Sequence, residues 1–161
     1  MQDKDADIFR ASLAREAERL HLPLTPGLSE RLEAYYRLLS RWNRRIRLVG
    51  IADPMRAASE LFADSLAAGA FAARLAPAGE RAEVLAIGSG AGFPGVPAAL
   101  ARSGWALTII GPDAKKLGFL RALRRGVGPP GLALIDGRAE ELAHEQKFRG
   151  RFDIVFCRAV A

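Results

Sequence analysis

Val84-Leu85-Ala86-Ile87-Gly88-Ser89-Gly90-Ala91-Gly92-Phe93-Pro94-Gly95 is the stretch whose reading settles how this chain folds. Four apolar residues run into four glycines within eight positions, and a helical pattern follows. Physically this is a buried strand ending in a turn whose main chain passes very close to something. Glycine lacks a Cβ, so it tolerates positive φ and lets a ligand reach N–H groups that a side chain would shield. The turn falls at the carboxyl end of an expected parallel strand, where open α/β sheets bind small charged or polar cofactors.

Downstream, short apolar runs alternate with helical patterns. Val84 to Ile87 leads into Val96 to Arg102, Trp105 to Ile110 into Ala114 to Arg125, and Leu132 to Ile135 into Ala139 to Gln146, before Phe152 to Cys157. That βαβαβαβ order predicts a parallel sheet with right-handed crossovers and helices over its faces. Sheets of this kind normally exceed four strands, so this one is expected to be incomplete at its carboxyl end. Gly126-Val127-Gly128-Pro129-Pro130 is the one linker-like piece.

Upstream, three helices are expected. Ile8, Leu13, Ala17 and Leu20 mark the first, which runs from Asp5 to about Leu20. Thr25-Pro26 opens the second with a cap followed by proline, and Leu28, Leu32, Tyr35, Leu39, Trp42 and Ile46 form its stripe. Asp53-Pro54 opens the third in the same way, with Leu61, Phe62, Leu66, Phe71 and Leu75 inward and Pro77-Ala78-Gly79 closing it. The chain thus reads as a helical extension over residues 1–80 and a ligand-binding α/β domain over 81–161, packed as one unit.

With 161 residues, half of them hydrophobic, the chain can bury a real core. No apolar run approaches the ~20 residues that span a bilayer, and Met1-Gln2-Asp3-Lys4-Asp5 is no signal-peptide start, so a soluble cytoplasmic protein with no membrane partner is expected. Cys157 is the single cysteine, which excludes an internal disulfide and a cysteine zinc cage; burial in a strand is its expected place. No metal is expected, and a monomer is favoured, although the sequence leaves the oligomeric state open. The net charge of +6 suggests a polyanionic partner. It gathers in Arg37, Arg41, Arg44, Arg45 and Arg47 and in Lys115, Lys116, Arg121, Arg124 and Arg125, for which nucleic-acid contact competes with a merely solvated helix face.

Two ligand classes use a glycine turn after the first strand. Gly90-Ala91-Gly92-Phe93-Pro94-Gly95 fits the dinucleotide spacing, but counting from Gly88 gives Gly-x-Gly-x-Gly, the looser turn of adenosylmethionine-dependent methyltransferases. Pro94 and Pro97 also withhold N–H groups that a pyrophosphate needs, which favours the methyl donor. A purely structural tight turn is the bland alternative. Either cofactor usually meets an acidic residue at the end of the second strand, where this chain has Gly111; Asp113 stands two residues on, with a helix cap as its simplest role.

Trp42-Asn43 with Leu48, Asp64-Ser65-Leu66, Gly88 to Gly95, Lys115-Lys116 with Phe119-Leu120, Arg138-Ala139-Glu140 and Arg158-Ala159 follow one another in an order that resembles the bacterial small-subunit ribosomal RNA guanine-N7 methyltransferases, also called glucose-inhibited division protein B. The resemblance runs from about Leu28 to the last residue. It implies a Rossmann-like class I methyltransferase fold, S-adenosyl-L-methionine as cofactor, and ribosomal RNA or the small ribosomal subunit as partner. Carried over by position, the cofactor-binding residues are Gly88, Gly90, Gly92, Phe93, Ala139, Glu140 and Arg158. Catalysis would be positioning without a general base, Arg158 standing nearest the target base. Packing for Phe93, an acidic first turn for Glu140 and a strand-end charge for Arg158 are the plainer readings.

The departures from that family concern polar groups. Acidic residues give way to Ala86 on the first strand and Gly111 on the second, both expected to face the cofactor; a histidine gives way to Leu61, an asparagine and a threonine to Arg47 and Val49, and a serine to Cys157. Losing two charge-assisted hydrogen bonds is expected to weaken cofactor binding by about two to four powers of ten. A noncatalytic RNA- or ribosome-binding relative and a dinucleotide-binding domain are the alternative functions.

Overall fold

Thr25 and Asp53 each precede a proline, and each closes the first turn of a helix. In the computed structural model, which describes residues 2–76 and 81–158, the Thr25 hydroxyl accepts from the Leu28 amide at 3.3 Å and the Asp53 carboxylate from the Arg56 amide at 2.8 Å. The helices so opened are α2 (Pro26–Asn43) and α3 (Pro54–Arg56), preceded by α1 (Gln2–Arg19). After α3 the helix widens into a π-helical stretch, Ala57–Ala63, and continues as α4 (Asp64–Leu75). Pro77-Ala78-Gly79 and Ala159 lie outside the described residues.

The stripe of α2 is buried at Leu28, Leu32, Tyr35 and Leu39, while Ile46 falls beyond the helix end. On α1 the inward residues are Ala6, Phe9, Leu13 and Ala17. The third helical segment corrects the sequence reading at two positions: Phe71 and Leu75, expected inward, are 63% and 71% exposed. The five-residue step from Leu66 to Phe71 turns about 500°, roughly 140° off the stripe, so the inner face passes instead through Leu66 and Gly69.

The strands are β1 (Ala82–Ile87), β2 (Trp105–Gly111), β3 (Ala133–Asp136) and β4 (Ile154–Cys157), all parallel in the order β3-β2-β1-β4. Between them run α5 (Gly95–Leu100), α6 (Ala114–Gly126) and α7 (Ala139–Leu142); α7 is a single turn, shorter than the expected Ala139 to Gln146, and a 3-10 turn, Gln146–Phe148, follows. All six residues of α5 are buried. A Cβ on Gly95 would stand 3.1 Å from that of Ala86 and 3.2 Å from Leu107, so this helix lies almost on the sheet. Cys157, expected buried, is exposed: β4 is an outer strand among the described residues, and Val155 and Cys157 alternate onto its uncovered face.

Aromatic rings join the helices to the sheet in one hydrophobic core. Phe9 stacks on Tyr36 at 4.3 Å, and Phe62 meets Phe9, Tyr35 and Phe93 edge-on. Trp42 meets Phe119 of α6, while Arg31 of α2 donates to the Gly128 carbonyl at 2.8 Å. The helices therefore brace the β1 turn, the middle of α6 and the turn after its end.

Candidate functional site

The turn after β1 partly satisfies itself. The Ser89 carbonyl accepts from the amides of Gly92 at 2.8 Å and Phe93 at 3.0 Å, and the Val96 amide donates to the Gly92 carbonyl at 2.7 Å. Gly88, Gly90 and Gly92 all carry positive φ, 68°, 57° and 100°. Among the described residues, the amides of Ser89, Gly90 and Ala91 have no hydrogen-bond acceptor, which leaves successive donors at the strand's end.

Above them lies a cavity of about 440 Å³, within the range of small-ligand sites. Its walls come from the carboxyl ends of three adjacent strands: Ile87 to Gly90 after β1, Ile109 to Asp113 after β2, and Gly137 to Glu140 after β3, with Lys116, Leu117 and Leu120 of α6 completing it. Ile87, Ile109, Ile110, Leu117 and Leu120 give it apolar walls, and Ser89, Asp113, Lys116, Arg138 and Glu140 bring polar groups to it. The Ser89 hydroxyl, on a residue 7% exposed, has no partner among the described residues. A buried hydroxyl without a partner is costly, and a ligand's polar group would satisfy it.

Four of the expected site residues line this cavity: Gly88, Gly90, Ala139 and Glu140. Gly92 and Phe93 lie beneath it instead. A Cβ on Gly92 would come within 2.8 Å of both the Tyr35 hydroxyl and Val96, and Phe93, 3% exposed, stacks against Tyr35. Arg158 also stands apart from the lining residues. Its amide donates to the Ile87 carbonyl at 3.3 Å, and its guanidinium lies 3.9 Å from the Asp64 carboxylate, which brings the Asp64-Ser65 and Arg158 motifs together at the end of β4. Glu140 pairs with Arg138 at 3.2 Å.

The two lost carboxylate positions turn out to differ. Ala86 is fully buried and packs under Gly95, so its expected place facing a cofactor is corrected: strand alternation turns it into the core. Gly111 does line the cavity, and a Cβ there would meet nothing within 4 Å. Asp113 caps α6 as expected and lines the cavity as well. Amide donation from Lys116, and more weakly from Lys115, holds its carboxyl below the usual aspartate value. Ser89, within the glycine turn, and Ile109, Ile110, Leu117 and Leu120 also line the cavity, and only their places near strand ends and on the inner face of α6 point to it.

The loop after α2, which carries part of one basic cluster, approaches the glycine turn through its main chain. Asn43 accepts from the amides of Leu48 at 2.8 Å and Val49 at 3.0 Å and donates to the Val49 carbonyl at 3.1 Å, closing the loop that holds Arg44, Arg45 and Arg47. The Leu48 carbonyl of this loop lies 4.0 Å from where a Cβ of Gly90 would stand. Among the described residues, Arg41, Arg44, Arg45 and Arg47 have no carboxylate within ion-pair distance, whereas Arg37 is paired with Asp3 and Glu33. No group of three or more His, Cys, Asp or Glu side chains could hold a metal ion among the described residues, and no helix there is long and apolar enough to cross a membrane.

Residues 28–161 match the family described as rRNA small subunit methyltransferase G. A ribosomal RNA small subunit methyltransferase G of Desulforamulus reducens is 33% identical over 150 residues, covering 93% of this chain and 61% of its own length. Its namesake in Streptococcus pneumoniae is 36% identical over 141 residues, covering 88% and 58%. The chain thus spans about three fifths of these curated relatives. A coclaurine N-methyltransferase structure bound to N-methylheliamine and SAH aligns with a TM-score of 0.38 at 12% identity, over 86% of this chain and 47% of that one, too loosely to bear on the fold.

Proposed function

The chain belongs to the rRNA small subunit methyltransferase G family, and from that premise we propose that it binds S-adenosyl-L-methionine and methylates N7 of a guanine in small-subunit ribosomal RNA. The observation that carries this reading is the cavity of about 440 Å³ at the carboxyl ends of β1, β2 and β3, floored by the glycine turn. Its donor set suits the cofactor: open amides from Ser89 to Ala91 and the unpartnered Ser89 hydroxyl for a carboxylate, and an apolar slot between strand ends and α6 for adenine.

On this reading Gly88 and Gly90 admit the cofactor to the main chain, Ala139 and Glu140 border its adenine end, and Gly92 and Phe93 hold the turn from beneath. When bound, the cofactor supplies an electrophilic methyl group. Guanine N7 already has a free in-plane lone pair and carries no proton, so the protein supplies no base; its residues position the ring and exclude water. On the same reading Arg158, beside Asp64 at the end of β4, meets the incoming base or its phosphate. Arg41, Arg44, Arg45 and Arg47, without a carboxylate partner among the described residues, supply phosphate contacts, and the work is done in the cytoplasm, where ribosomal subunits are.

Calorimetric titration with S-adenosylmethionine and S-adenosylhomocysteine, followed by labelled methyl transfer to small ribosomal subunits, tests the reading. Saturable binding and 7-methylguanosine in the digested RNA are expected. Absence of binding at millimolar cofactor overturns it. Salt-dependent RNA binding that ignores the cofactor would establish the noncatalytic alternative, which the missing side chain at Gly111 favours.

A further inference from the structure

A carboxylate that grips vicinal hydroxyls needs a free oxygen near the end of the second strand. Gly111 ends β2 and has no side chain to offer. Three carboxylates stand near it. Glu140 lines the cavity but is engaged by Arg138 at 3.2 Å. Asp136 is the register partner of Gly111 on β3, yet it is exposed and outside the cavity lining. Asp113 lines the cavity two residues beyond Gly111.

The two oxygens of Asp113 are differently employed. Oδ1 takes both cap hydrogen bonds, from the Lys115 amide at 2.9 Å and the Lys116 amide at 3.1 Å. Oδ2 accepts no hydrogen bond among the described residues, and its neighbour is the Lys116 ammonium at 3.7 Å. The cap therefore fixes the carboxylate's orientation and leaves one oxygen free. Ser89, whose buried hydroxyl has no partner among the described residues, lines the same cavity, an independent mark of a ligand. Resting on the cofactor reading above, we infer that Asp113 has taken over the ribose contact that Gly111 cannot make: Oδ1 holds the helix and Oδ2 accepts from the nucleoside's vicinal hydroxyls.

The test is calorimetry of the full chain with S-adenosylhomocysteine, using adenosine and 2′,3′-dideoxyadenosine as competitors. Asp113→Ser keeps a good helix cap and removes the second oxygen. Its affinity for S-adenosylhomocysteine should fall about ten- to a hundredfold with only a small fall in melting temperature, and its preference for adenosine over the dideoxy compound should vanish. Adding Gly111→Asp, which has room for its Cβ, should restore much of the affinity and the preference. An Asp113→Ser variant that binds as tightly as wild type, or loses affinity for both nucleosides equally, overturns this inference alone. A wild-type chain that binds no nucleoside ligand overturns it together with the cofactor reading.

Discussion

The rings of Tyr35 and Phe93 lie 9° from parallel with centroids 5.3 Å apart, and the Tyr35 hydroxyl donates to the carbonyl of Ala91. Helix α2 thus holds the glycine turn by a ring and by a hydrogen bond, across more than fifty residues of sequence. Phe93 contributes to the site through this packing. Truncating it to alanine should cost about 3–5 kcal/mol of stability, read by denaturant unfolding. Phe93→Leu, which keeps most of the volume, should hold nucleoside affinity within severalfold; a loss matching that of a direct contact would return Phe93 to the ligand surface. Tyr35→Phe leaves the buried Ala91 carbonyl unpaired and should cost about 1–3 kcal/mol.

Gly92 and Gly111 make a matched pair for substitution by alanine. At Gly92 the φ of 100° and two neighbours within 2.8 Å of an added Cβ combine backbone strain with overpacking, for about 2–5 kcal/mol. At Gly111 the added methyl group enters open space within a strand, and stability should hold or rise by about 0.5–1 kcal/mol. Thermal melts of the two variants check the contrast; equal losses would mean that the turn can shift to admit a side chain.

Restoring a carboxylate at Ala86 should damage the fold. The position is 0% exposed between the sheet and α5, so Ala86→Asp buries an unpaired charge, and the variant should be largely unfolded or bind a proton in order to fold. Gly111→Asp should fold normally. Circular dichroism of both variants decides the matter, and an Ala86→Asp protein as stable as wild type would contradict the assigned face of β1.

The βα alternation was legible because β1 and β2, covered on both faces, show as apolar runs, and the helix starts were legible because Thr25, Asp53 and Asp113 stand where caps must. What stayed hidden concerns direction. Phe71 and Leu75 are apolar like the inner residues, and only their phase about the helix tells that they face out. Ala86 and Gly111 both occupy strand positions near the turn, but alternation turns one into the core while the other ends its strand at the cavity. The lining by Ser89 and Ile109 depends on three strands ending side by side, which long-range pairing determines and local sequence does not.

Asn43 should act on the rim through the loop it closes. Asn43→Ala removes three hydrogen bonds at net values of about 1 kcal/mol each, so the loop from Arg44 to Val49 should open while the sheet stays intact. Hydrogen exchange should show faster exchange at the Leu48 and Val49 amides with strand amides unchanged. On the proposed reading, RNA affinity should fall with it, since Arg44, Arg45 and Arg47 lose the fixed loop that carries them.

Acid stability separates the cap from the surface ion pairs. Asp113 is lowered by donation from the Lys116 amide, Asp3 by its hydrogen bond to Arg37, and Glu60 by its hydrogen bond to Arg56. A carboxyl whose folded pKa lies below its unfolded value stabilises fully above the unfolded value, 3.8 for these aspartates and 4.5 for Glu60, and loses that contribution as pH falls through the folded value. These groups should therefore leave the melting temperature level above about pH 5 and depress it below. In 1 M salt the Debye length shrinks to about 3 Å, which screens the exposed pairs of Asp3 and Glu60 more than the amide bonds to Asp113. Part of the acid slope that survives in salt should accordingly belong to the cap, and Asp113→Asn should flatten it. Acid limbs that coincide for wild type and variant in 1 M salt would show that the Asp113 carboxylate is not held by the helix.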